Sequence, residues 1–593
     1  MDKHVKTPTA EQPGSQARPA WGSDIVAAAL REQNIPYICL NPGASYRGLH
    51  DSIVNYLGNE SPKMIVCLHE EHAVAICHGY ALVTDKPLAA VVHSNVGLMH
   101  ATMAIFNAWC GRVPVIVIGA TGPVDATKRR PWIDWIHTTA DQGALVRDYT
   151  KWDDQPGSAV AAVESIRRAS LIARSKPSGP VYINLDVAMQ EAPVEGEPKF
   201  EPIARYQPPP QTVPSRETID EAVAVLKNAK RPLILCGRVA RSEESWKQRV
   251  ALAEWTGARV LTHIKEPAGF PTNHPLYLTE SGWKFRPKLV EWLKGCDAIL
   301  CLDWFDPAGS IHQAFPVGDG GPKVINASND FQLHKGWSMD YQGLPAVDVW
   351  LSTTPEAAVS SLLEGLERAK VPKRPVPQKV IPKIAPPTAT SGAINITDMA
   401  RVFAVKAEGQ PLSIVSRPLG WPPNANVILG PLDFFGASGG GGLGAGPGIA
   451  VGAALALRDH HPGRIPVAVL GDGDYMMGCN ALWTAANMEI PMLLVVANNR
   501  SYYNDEEHQK HIAEHRGRPV ENAPVGQRIE TPPPDLVGIA RAQGWDGEGP
   551  ITDLAALPAA LERAFAAVKQ GKQYLLEVLI APEYVRVPLV DYL

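Results

Sequence analysis

The chain has 593 residues, of which 20% are charged, and a formal net charge of −5. This length allows about three or four domains, each large enough to bury a core of its own. The composition is globular and has no basic run or aromatic-basic stripe, which excludes a nucleic-acid surface and favours a small-molecule substrate. The eight cysteines have no CxxC spacing and mostly lie in apolar runs. They indicate buried thiols in a reducing compartment, so a cytoplasmic protein is expected.

Two proline-rich stretches, 192–215 and 371–390, are predicted to be extended linkers between domains. Residues 1–20 have no apolar core, so they are expected to form a disordered tail rather than a signal peptide. A membrane span is not expected, because the one long uncharged segment, Gly439–Leu457, is too rich in glycine. The three blocks that remain are 21–191, 216–370 and 391–593.

Each block alternates short Val/Ile/Leu runs with amphipathic helical segments. RPLILCG followed by ESWKQRVALAEWTG in the central block is one example. Continuous apolar strands joined by helices are typical of parallel sheets with helical crossovers. The sequence therefore predicts an α/β protein with three doubly wound parallel-sheet domains in series.

In the first block, two acids, Glu70 and Glu71, open a predicted helix that follows the strand MIVCL. A carboxylate at a helix start can be no more than a partner of the helix dipole. His93 closes the strand AAVVHS, where the chain leaves the sheet and side chains face a crevice. A lone histidine there is usually structural, so these residues alone leave both readings open.

The segment HEEH also suggests a metal-binding helix, because His69 and His72 lie on one face and His78 lies further along. It lacks the HExxH spacing, since position 73 is alanine. A zinc hydrolase is therefore kept as a remote alternative from another class.

The last block contains the strongest motif. The strand VAVLGDG ends in Asp472 between Gly471 and Gly473, where a tight turn brings backbone N–H groups and one carboxylate together. Asn498 and Asn499 follow the next predicted strand. Magnesium takes only one or two carboxylates and fills its other positions with amide, carbonyl, water and phosphate oxygens. Ligands of open parallel sheets bind at the carboxyl ends of the strands, so both turns should face one crevice.

This pattern, GDG followed 27 residues later by the second asparagine of NN, resembles the signature of the thiamine-diphosphate-dependent decarboxylases and carboligases. The resemblance covers nearly the whole chain after residue 20. It implies thiamine diphosphate (ThDP) and Mg²⁺ as cofactors, with the metal held by Asp472, the Asn499 amide and the Ser501 carbonyl. The cofactor-binding residues that it implies are Glu70, Gly442, Leu443, Gly471, Asp472, Gly473, Asp474, Asn499, Ser501 and Tyr502.

The resemblance also implies catalytic roles. Aligned on HGYA at 78–81, Glu70 rather than Glu71 is the glutamate that faces N1′ of the aminopyrimidine and starts activation of the thiazolium C2. Leu443, the one bulky residue in the run GGGGLGAG, would hold the cofactor in a V shape. His93 followed by Ser and, later, NAW resembles the benzoylformate decarboxylase branch, where the histidine relays protons.

Further assignments rest on weaker matches. His274 in FPTNHP matches a second active-site histidine of that branch, and Asp505 falls where pyruvate decarboxylases have a catalytic glutamate. The turn Asn41–Ser45 matches the first active-site turn, but the branch's serine aligns with Ala44, so Ser45 would replace it only if the turn shifts. The loop 128–143 differs from acetolactate synthases, and its Trp132 and Trp135 could line a pocket or a subunit interface.

The function expected from the resemblance is non-oxidative decarboxylation of a 2-oxo acid, with an aromatic side chain as one option. The alternatives are an acetolactate synthase-like carboligase and an enzyme that cleaves 1,2-diketones or 2-hydroxyketones. A non-enzymatic binding subunit is disfavoured, because the activating glutamate and every metal ligand are present. The resemblance further implies a homodimer or homotetramer with the site between subunits, and it leaves FAD in the central domain open.

Overall fold

The computed structural model describes residues 18–196, 198–282, 284–318, 320–333, 344–378, 391–425, 427–436 and 439–583. Most of the predicted tail and of the second linker lies outside these residues. The described chain forms three parallel sheets in series, each with helices between its strands. This architecture confirms the predicted fold class.

The first domain has a six-stranded sheet with the order β2-β1-β3-β4-β6-β5. Its strands are β1 Tyr37–Leu40, β2 Lys63–Val66, β3 Ala89–Val91, β4 Ile116–Thr121, β5 Asp153–Asp154 and β6 Val181–Asp186. Its helices are α1 Gly22–Glu32, α2 Arg47–Asp51, α3 Glu70–Thr84, α4 Ser94–Cys110, α5 Ile133–Ile136, α6 Ala159–Arg174 and α7 Val187–Glu191. Leu40 at the end of β1 pairs with Val66 on one side and Val91 on the other. The segments that follow β1, β2 and β3 therefore leave the sheet at one edge.

The central domain has the strand order β12-β11-β10-β7-β8-β9. Its strands are β7 Pro232–Cys236, β8 Arg259–His263, β9 Tyr277–Ser281, β10 Ala298–Leu302, β11 Lys323–Ala327 and β12 Val349–Leu351. Its helices are α8 Arg216–Asn228, α9 Glu243–Thr256, α10 Pro287–Leu293, α11 Pro307–His312 and α12 Pro355–Arg368. β7 and β10 are buried along their whole length, as expected of parallel strands covered on both faces.

The third domain has a five-stranded sheet with the order β13-β14-β15-β17-β16. Its strands are β13 Leu412–Ser416, β14 Ile465–Gly471, β15 Met492–Asn498, β16 Asp546–Ile551 and β17 Gln573–Leu579. Its helices are α13 Ile396–Ala407, α14 Ala445–His460, α15 Asp472–Gly478, α16 Ala481–Asn487, α17 Tyr503–His515, α18 Leu536–Ala542 and α19 Leu557–Lys569. Gly471 on β14 is paired with Ala497 on β15, so these two strands end side by side.

Helices α3 and α14 join the first and third domains. A Cβ on Gly79 of α3 would overlap the backbone of Ile449, and a Cβ on Gly452 of α14 would overlap the backbone of Ile76. The two helices therefore approach backbone to backbone, which only glycine permits at these positions. One hydrophobic core runs through this contact and includes residues of both domains. Within the described ranges, no helix combines the length and the apolar character that a membrane crossing requires.

Candidate active site

The GDG turn sits where a buried strand becomes a helix. β14 ends at Gly471, and α15 begins at Asp472. The Asp472 side chain is buried, and burial raises the pKa of its carboxyl to about 6, although the backbone N–H groups of Gly473, Ser501 and Asn499 act in the opposite direction. Its Oδ2 is buried and has no hydrogen-bond partner among the described residues. A buried carboxylate oxygen without a donor is open to a cation.

The second turn follows β15 and brings Asn499 and Ser501 to Asp472. Asn499 Oδ1 accepts the Ser501 N–H at 3.0 Å, and Ser501 Oγ donates to Glu506 Oε2 at 3.0 Å. Arg528 donates to both oxygens of Glu506, each at 2.8 Å. These contacts hold Glu506, and through it Ser501, in place. The donor set is carboxylate, amide and carbonyl oxygen, the hard ligands that Mg²⁺ prefers, so these residues fit the predicted metal.

Asn498 has a different environment from Asn499. Its Nδ2 donates to Glu577 Oε1 on β17 at 2.8 Å, and its Oδ1 accepts the Arg500 N–H at 2.9 Å. Both ends of this amide are therefore used to shape the turn. The amide oxygen of Asn499 makes the same kind of contact with Ser501, so the two asparagines differ in Nδ2 and in the backbone N–H of Asn499, which faces the Asp472 carboxyl. The role of Asn499 as a metal ligand stays a prediction.

The glycine-rich loop is fastened to the GDG turn by a contact that the sequence did not predict. The Asp474 carboxylate accepts the N–H of Gly444 at 2.6 Å and of Gly446 at 3.3 Å. Gly444 has φ +94°, a conformation that favours glycine. Asp474 was predicted to bind the cofactor, and that role stays a prediction. Its side chain couples the start of α14 to the start of α15.

Leu443 lies in this loop and is 45% exposed in the single chain. It is therefore not an ordinary core leucine, and it stays available to contact a ligand. Its neighbour Gly442 lies against Met103 of α4, where a Cβ would not fit. The ring of Tyr502 covers Gly473, whereas the space beside Gly471 is open. The predicted cofactor-binding residues of the third domain thus surround the ends of β14 and β15.

Glu70 is the first residue of α3 and is buried. Its Oε2 lies 3.0 Å from Nδ1 of His100 on α4, and a Cβ on Gly97 would lie 3.0 Å from its Oε1. The adjacent Glu71 has a buried Oε1 without a partner among the described residues. Burial, and then the charge of Asp474, raise the pKa of Glu71. The two acids at the start of α3 are thus in different environments, and Glu70 is the one that contacts another side chain, that of His100.

His93 follows β3 and contacts the turn after β1. Its Nδ1 lies 2.9 Å from Ser45 Oγ and accepts the Ser45 backbone N–H at 3.3 Å. Ser45 Oγ in turn accepts the Ser94 N–H at 3.2 Å. Burial and the neighbouring His137 lower the pKa of His93. The imidazole is accordingly neutral, with its proton on Nε2. The serine that contacts His93 is Ser45, although the serine of the benzoylformate decarboxylase branch aligns with position 44.

The loop 128–143 reaches the same place. The ring of His137 lies 4.6 Å from that of His93 in a T-shaped contact, and Asn95 Nδ2 donates to the Ile136 carbonyl at 3.1 Å. The sequence did not predict His137, because no motif marks a histidine in this loop. Trp132 and Trp135 are 69% and 75% exposed, so in the single chain they do not pack in the core.

His274 and Asp505 have contacts of other kinds. His274 Nε2 lies 3.1 Å from Glu254 Oε1 on α9, and its Nδ1 accepts the Leu276 N–H at 3.1 Å, so both ring nitrogens are engaged within the central domain. Asp505 is exposed on α17, while its neighbour Glu506 is buried against Arg528. A catalytic role for either residue stays a prediction.

The described residues contain one group of His, Cys, Asp and Glu side chains that could hold a metal, formed by His69, Glu70 and His100. His69 Nδ1 accepts the Glu71 N–H at 3.1 Å, which leaves the proton of the neutral ring on Nε2. His72 and His78 are not in this group, and burial lowers the pKa of each to about 4. In this segment His69 caps helix α3, and His72 and His78 are buried in its packing. These contacts favour a structural role for the two buried histidines over the zinc-hydrolase hypothesis.

A cavity of about 470 Å³ lies where the three domains meet. Its walls include Phe106 of the first domain, Arg238 and Lys265 of the central domain, and Phe435 of the third. This volume is within the range of small-molecule sites. The structure does not test flavin binding, which the sequence left open.

Three parallel-sheet domains with a buried carboxylate at a glycine turn are typical of proteins that bind a ligand outside the carboxyl ends of their strands, here β14 and β15. Family models identify the cofactor. Residues 20–145 match the N-terminal TPP binding domain of thiamine pyrophosphate enzymes, 219–330 the central domain and 423–578 the C-terminal TPP binding domain. Together they cover more than half of the chain, so this protein belongs to the thiamine pyrophosphate enzyme family and its cofactor is ThDP.

Curated relatives include decarboxylases and synthases. The chain is 24% identical over 455 residues to benzoylformate decarboxylase of Pseudomonas aeruginosa, covering 75% of this chain and 80% of the relative. It is 22% identical over 595 residues to the probable acetolactate synthase large subunit of Methanocaldococcus jannaschii, covering 95% and 92%. The structure of benzoylformate decarboxylase from Polynucleobacter necessarius has a TM-score of 0.78 at 20% identity, covering 96% of this chain and 100% of that one. This structural likeness supports the fold.

Proposed function

We propose that this enzyme uses ThDP and Mg²⁺ to decarboxylate a 2-oxo acid without oxidation. When bound, ThDP supplies a nucleophilic carbon that attacks a carbonyl and then accepts the electron pair of the neighbouring bond as it breaks. Asp472, Asn499 and Ser501 would hold the magnesium, and through it the diphosphate. Glu70 would exchange a proton with the aminopyrimidine.

The observation that carries the choice of reaction is the contact between His93 and Ser45. After a decarboxylase releases carbon dioxide, the substrate carbon that carried the carboxylate must receive a proton. In a carboligase that carbon instead bonds to a second carbonyl compound. Ser45 holds Nδ1 of His93 and leaves Nε2 to face a substrate. To donate, the neutral ring would first take up a proton from solvent, because loss of a proton from neutral imidazole would leave an imidazolate, and Ser45 Oγ can accept from Nδ1–H in the charged form. The decarboxylase among the relatives supports the same choice.

A carboligase is the second candidate, and the synthases among the relatives favour it. A small carbonyl compound would then take the place of the proton. Cleavage of a 1,2-diketone or 2-hydroxyketone is the third candidate, because it breaks a bond at the same position without releasing carbon dioxide.

The test is turnover of the purified protein with ThDP and Mg²⁺ against benzoylformate, pyruvate and a cyclic 1,2-diketone, with carbon dioxide and organic products followed together. We expect carbon dioxide and a free aldehyde. Release of carbon dioxide together with a coupled hydroxyketone would contradict the proposal and show a carboligase. Bond cleavage without carbon dioxide would contradict it and show a lyase of 1,2-diketones or 2-hydroxyketones.

The site is further proposed to lie between subunits of a homodimer, or of a homotetramer built from such dimers. Exposed apolar side chains flank both halves of the site: Leu68 and Met99 beside Glu70 and His100, and Leu443 and Met477 in the third domain. Trp132 and Trp135 extend the first of these surfaces. Apolar surface of this kind next to a site is typical of regions covered by a partner.

Mixing two inactive variants tests this assembly. Glu70→Gln and Asp472→Ala each damage a different half of the site. If Glu70 of one subunit serves Asp472 of the other, random mixed dimers contain one intact site, and about a quarter of wild-type activity returns when the subunits are exchanged. If both residues of a site come from one chain, no activity returns, and a two-chain site is contradicted.

A further inference from the structure

The activating carboxylate has a neighbour that neither the motifs nor the family models mark. His100 lies on α4, 30 residues after Glu70, and its Nδ1 is 3.0 Å from Glu70 Oε2. The carboxylate is nearly buried, with 10% of its side chain exposed. We propose that His100 is a positioning residue that holds the Glu70 carboxylate in the orientation needed for activating ThDP. This inference rests on the proposed role of Glu70.

The ionised form of the Glu70 carboxylate can only accept, and with that form His100 would donate from Nδ1 to Oε2. The second oxygen, Oε1, is then left to face another group. A hydrogen bond to a charged acceptor is stronger than one between neutral groups, so it restrains the rotation of the Glu70 side chain.

Two neighbours keep this geometry in place. The ring of His69 stacks on that of His100, with centroids 4.9 Å apart and planes inclined by 20°. His69 is itself fixed, because its Nδ1 accepts the Glu71 N–H. Gly97, one turn before His100, leaves room for Oε1, since a Cβ there would lie only 3.0 Å away. The donor and the cleared space lie one turn apart on α4, the stacked ring directly precedes Glu70, and all three serve one carboxylate.

Catalysis depends on such restraint. A catalytic group displaced by about 1 Å can lose about 100-fold in rate. A released Glu70 would keep its charge and its place on α3 but would sample several orientations. His100 should therefore affect the rate of activation, and affect substrate and cofactor binding little.

The test compares His100→Ala with the conservative His100→Asn, whose amide can donate from nearly the same position as Nδ1. Each holoenzyme is assayed for exchange of the thiazolium C2 proton in deuterium oxide, for kcat and KM, and for ThDP affinity. His50→Asn, a histidine of α2 in the same domain, is the control and should match wild type. We expect His100→Ala to slow exchange and kcat by about 10- to 100-fold with KM and ThDP affinity unchanged. His100→Asn should recover most of that loss.

A double-mutant comparison separates this inference from the role of Glu70. If His100 acts only through the carboxylate, His100→Ala should add nothing to Glu70→Gln. Slow exchange in Glu70→Gln combined with wild-type exchange in His100→Ala would overturn the positioning role alone. Equal losses in His100→Ala and His100→Asn, or an additive loss in the double variant, would also overturn it. Wild-type exchange in Glu70→Gln would instead remove the proposed role of Glu70.

Discussion

Two carboxylates occupy equivalent places in the fold and have opposite environments. Glu70 and Asp472 are each the first residue of a helix that follows a strand of a parallel sheet, one in the first domain and one in the third. Glu70 is bound by a histidine side chain, whereas Asp472 has a buried oxygen without a partner in the described part of the chain. The same local structure therefore serves two chemistries.

The difference follows from what each carboxylate must do. A metal ligand needs free lone pairs, and a protein donor in that place would compete with the cation. A group that exchanges a proton must instead be held at a fixed angle to its partner. Under these proposed roles, Asp472 keeps one oxygen for a cation, whereas His100 holds one oxygen of Glu70 and leaves the other for the cofactor.

The largest effect should come from Asp472→Ala. Loss of the one carboxylate at the predicted metal should weaken Mg²⁺ and ThDP binding together, by more than the roughly 10- to 100-fold that loss of a supporting residue causes. Calorimetric titration of ThDP in the presence of Mg²⁺ measures this. Asp505→Ala removes an exposed carboxylate from the nearby α17 and should keep wild-type affinity. Wild-type affinity in Asp472→Ala would contradict the metal site.

Glu70→Gln should separate binding from reaction. The amide keeps the shape of the side chain but cannot exchange the proton, so turnover should fall by about 10²- to 10⁴-fold. ThDP affinity should change little, because the metal and the third domain are intact. A variant that turned over normally would assign activation to another group, with Glu71 the first to test.

His93→Ala should have a smaller effect, confined to the steps that need its proton. We expect kcat to fall by about 100-fold, at the lower end for a general acid, while exchange of the C2 proton stays near the wild-type rate. Ser45→Ala removes only the hydroxyl contact to Nδ1 of His93 and keeps the backbone one, so kcat should fall less than in His93→Ala. Loss of C2 exchange in His93→Ala would contradict the division of labour between Glu70 and His93.

The smallest effect concerns stability without cofactor. Because the pKa of Asp472 is raised to about 6 in the folded protein, from 3.8, the folded state binds more protons than the unfolded state between these values. Stability should therefore fall as pH rises through this window, by up to roughly 3 kcal/mol from this group. Asp472→Asn should lack that loss and give an apoprotein more stable than wild type at pH 7.5 in urea unfolding. An equal or lower stability would contradict the buried bare carboxylate.

Patterns local in sequence predicted a large part of this molecule. Apolar strands alternating with helices predicted the three sheets, and the glycine-flanked Asp472 predicted a strand-to-helix turn that the structure contains. Pairing of β14 with β15 then brings Asn499 to the same edge, as expected of adjacent parallel strands.

The contacts that hold the site were not predicted, because each joins elements distant in the chain. His100 reaches Glu70 from another helix, the Asp474 side chain binds backbone 28 and 30 residues away, and Glu506 is paired with Arg528. Nothing in the local pattern around His100 and Glu506 distinguishes them from exposed helical positions, and the motif around Asp474 does not reveal that its side chain binds the glycine-rich loop. His137 was missed for the same reason, since its contact with His93 depends on how a loop folds over the sheet edge.

The central claim is that activation and cofactor binding belong to two different carboxylates. The most direct test titrates ThDP with Mg²⁺ into wild type, Glu70→Gln and Asp472→Ala in parallel and follows binding and C2-proton exchange in the same samples. We expect Glu70→Gln to bind like wild type without rapid exchange, and Asp472→Ala to fail to bind at the concentrations that saturate wild type. Rapid exchange in Glu70→Gln, or saturable wild-type binding in Asp472→Ala, would contradict the account.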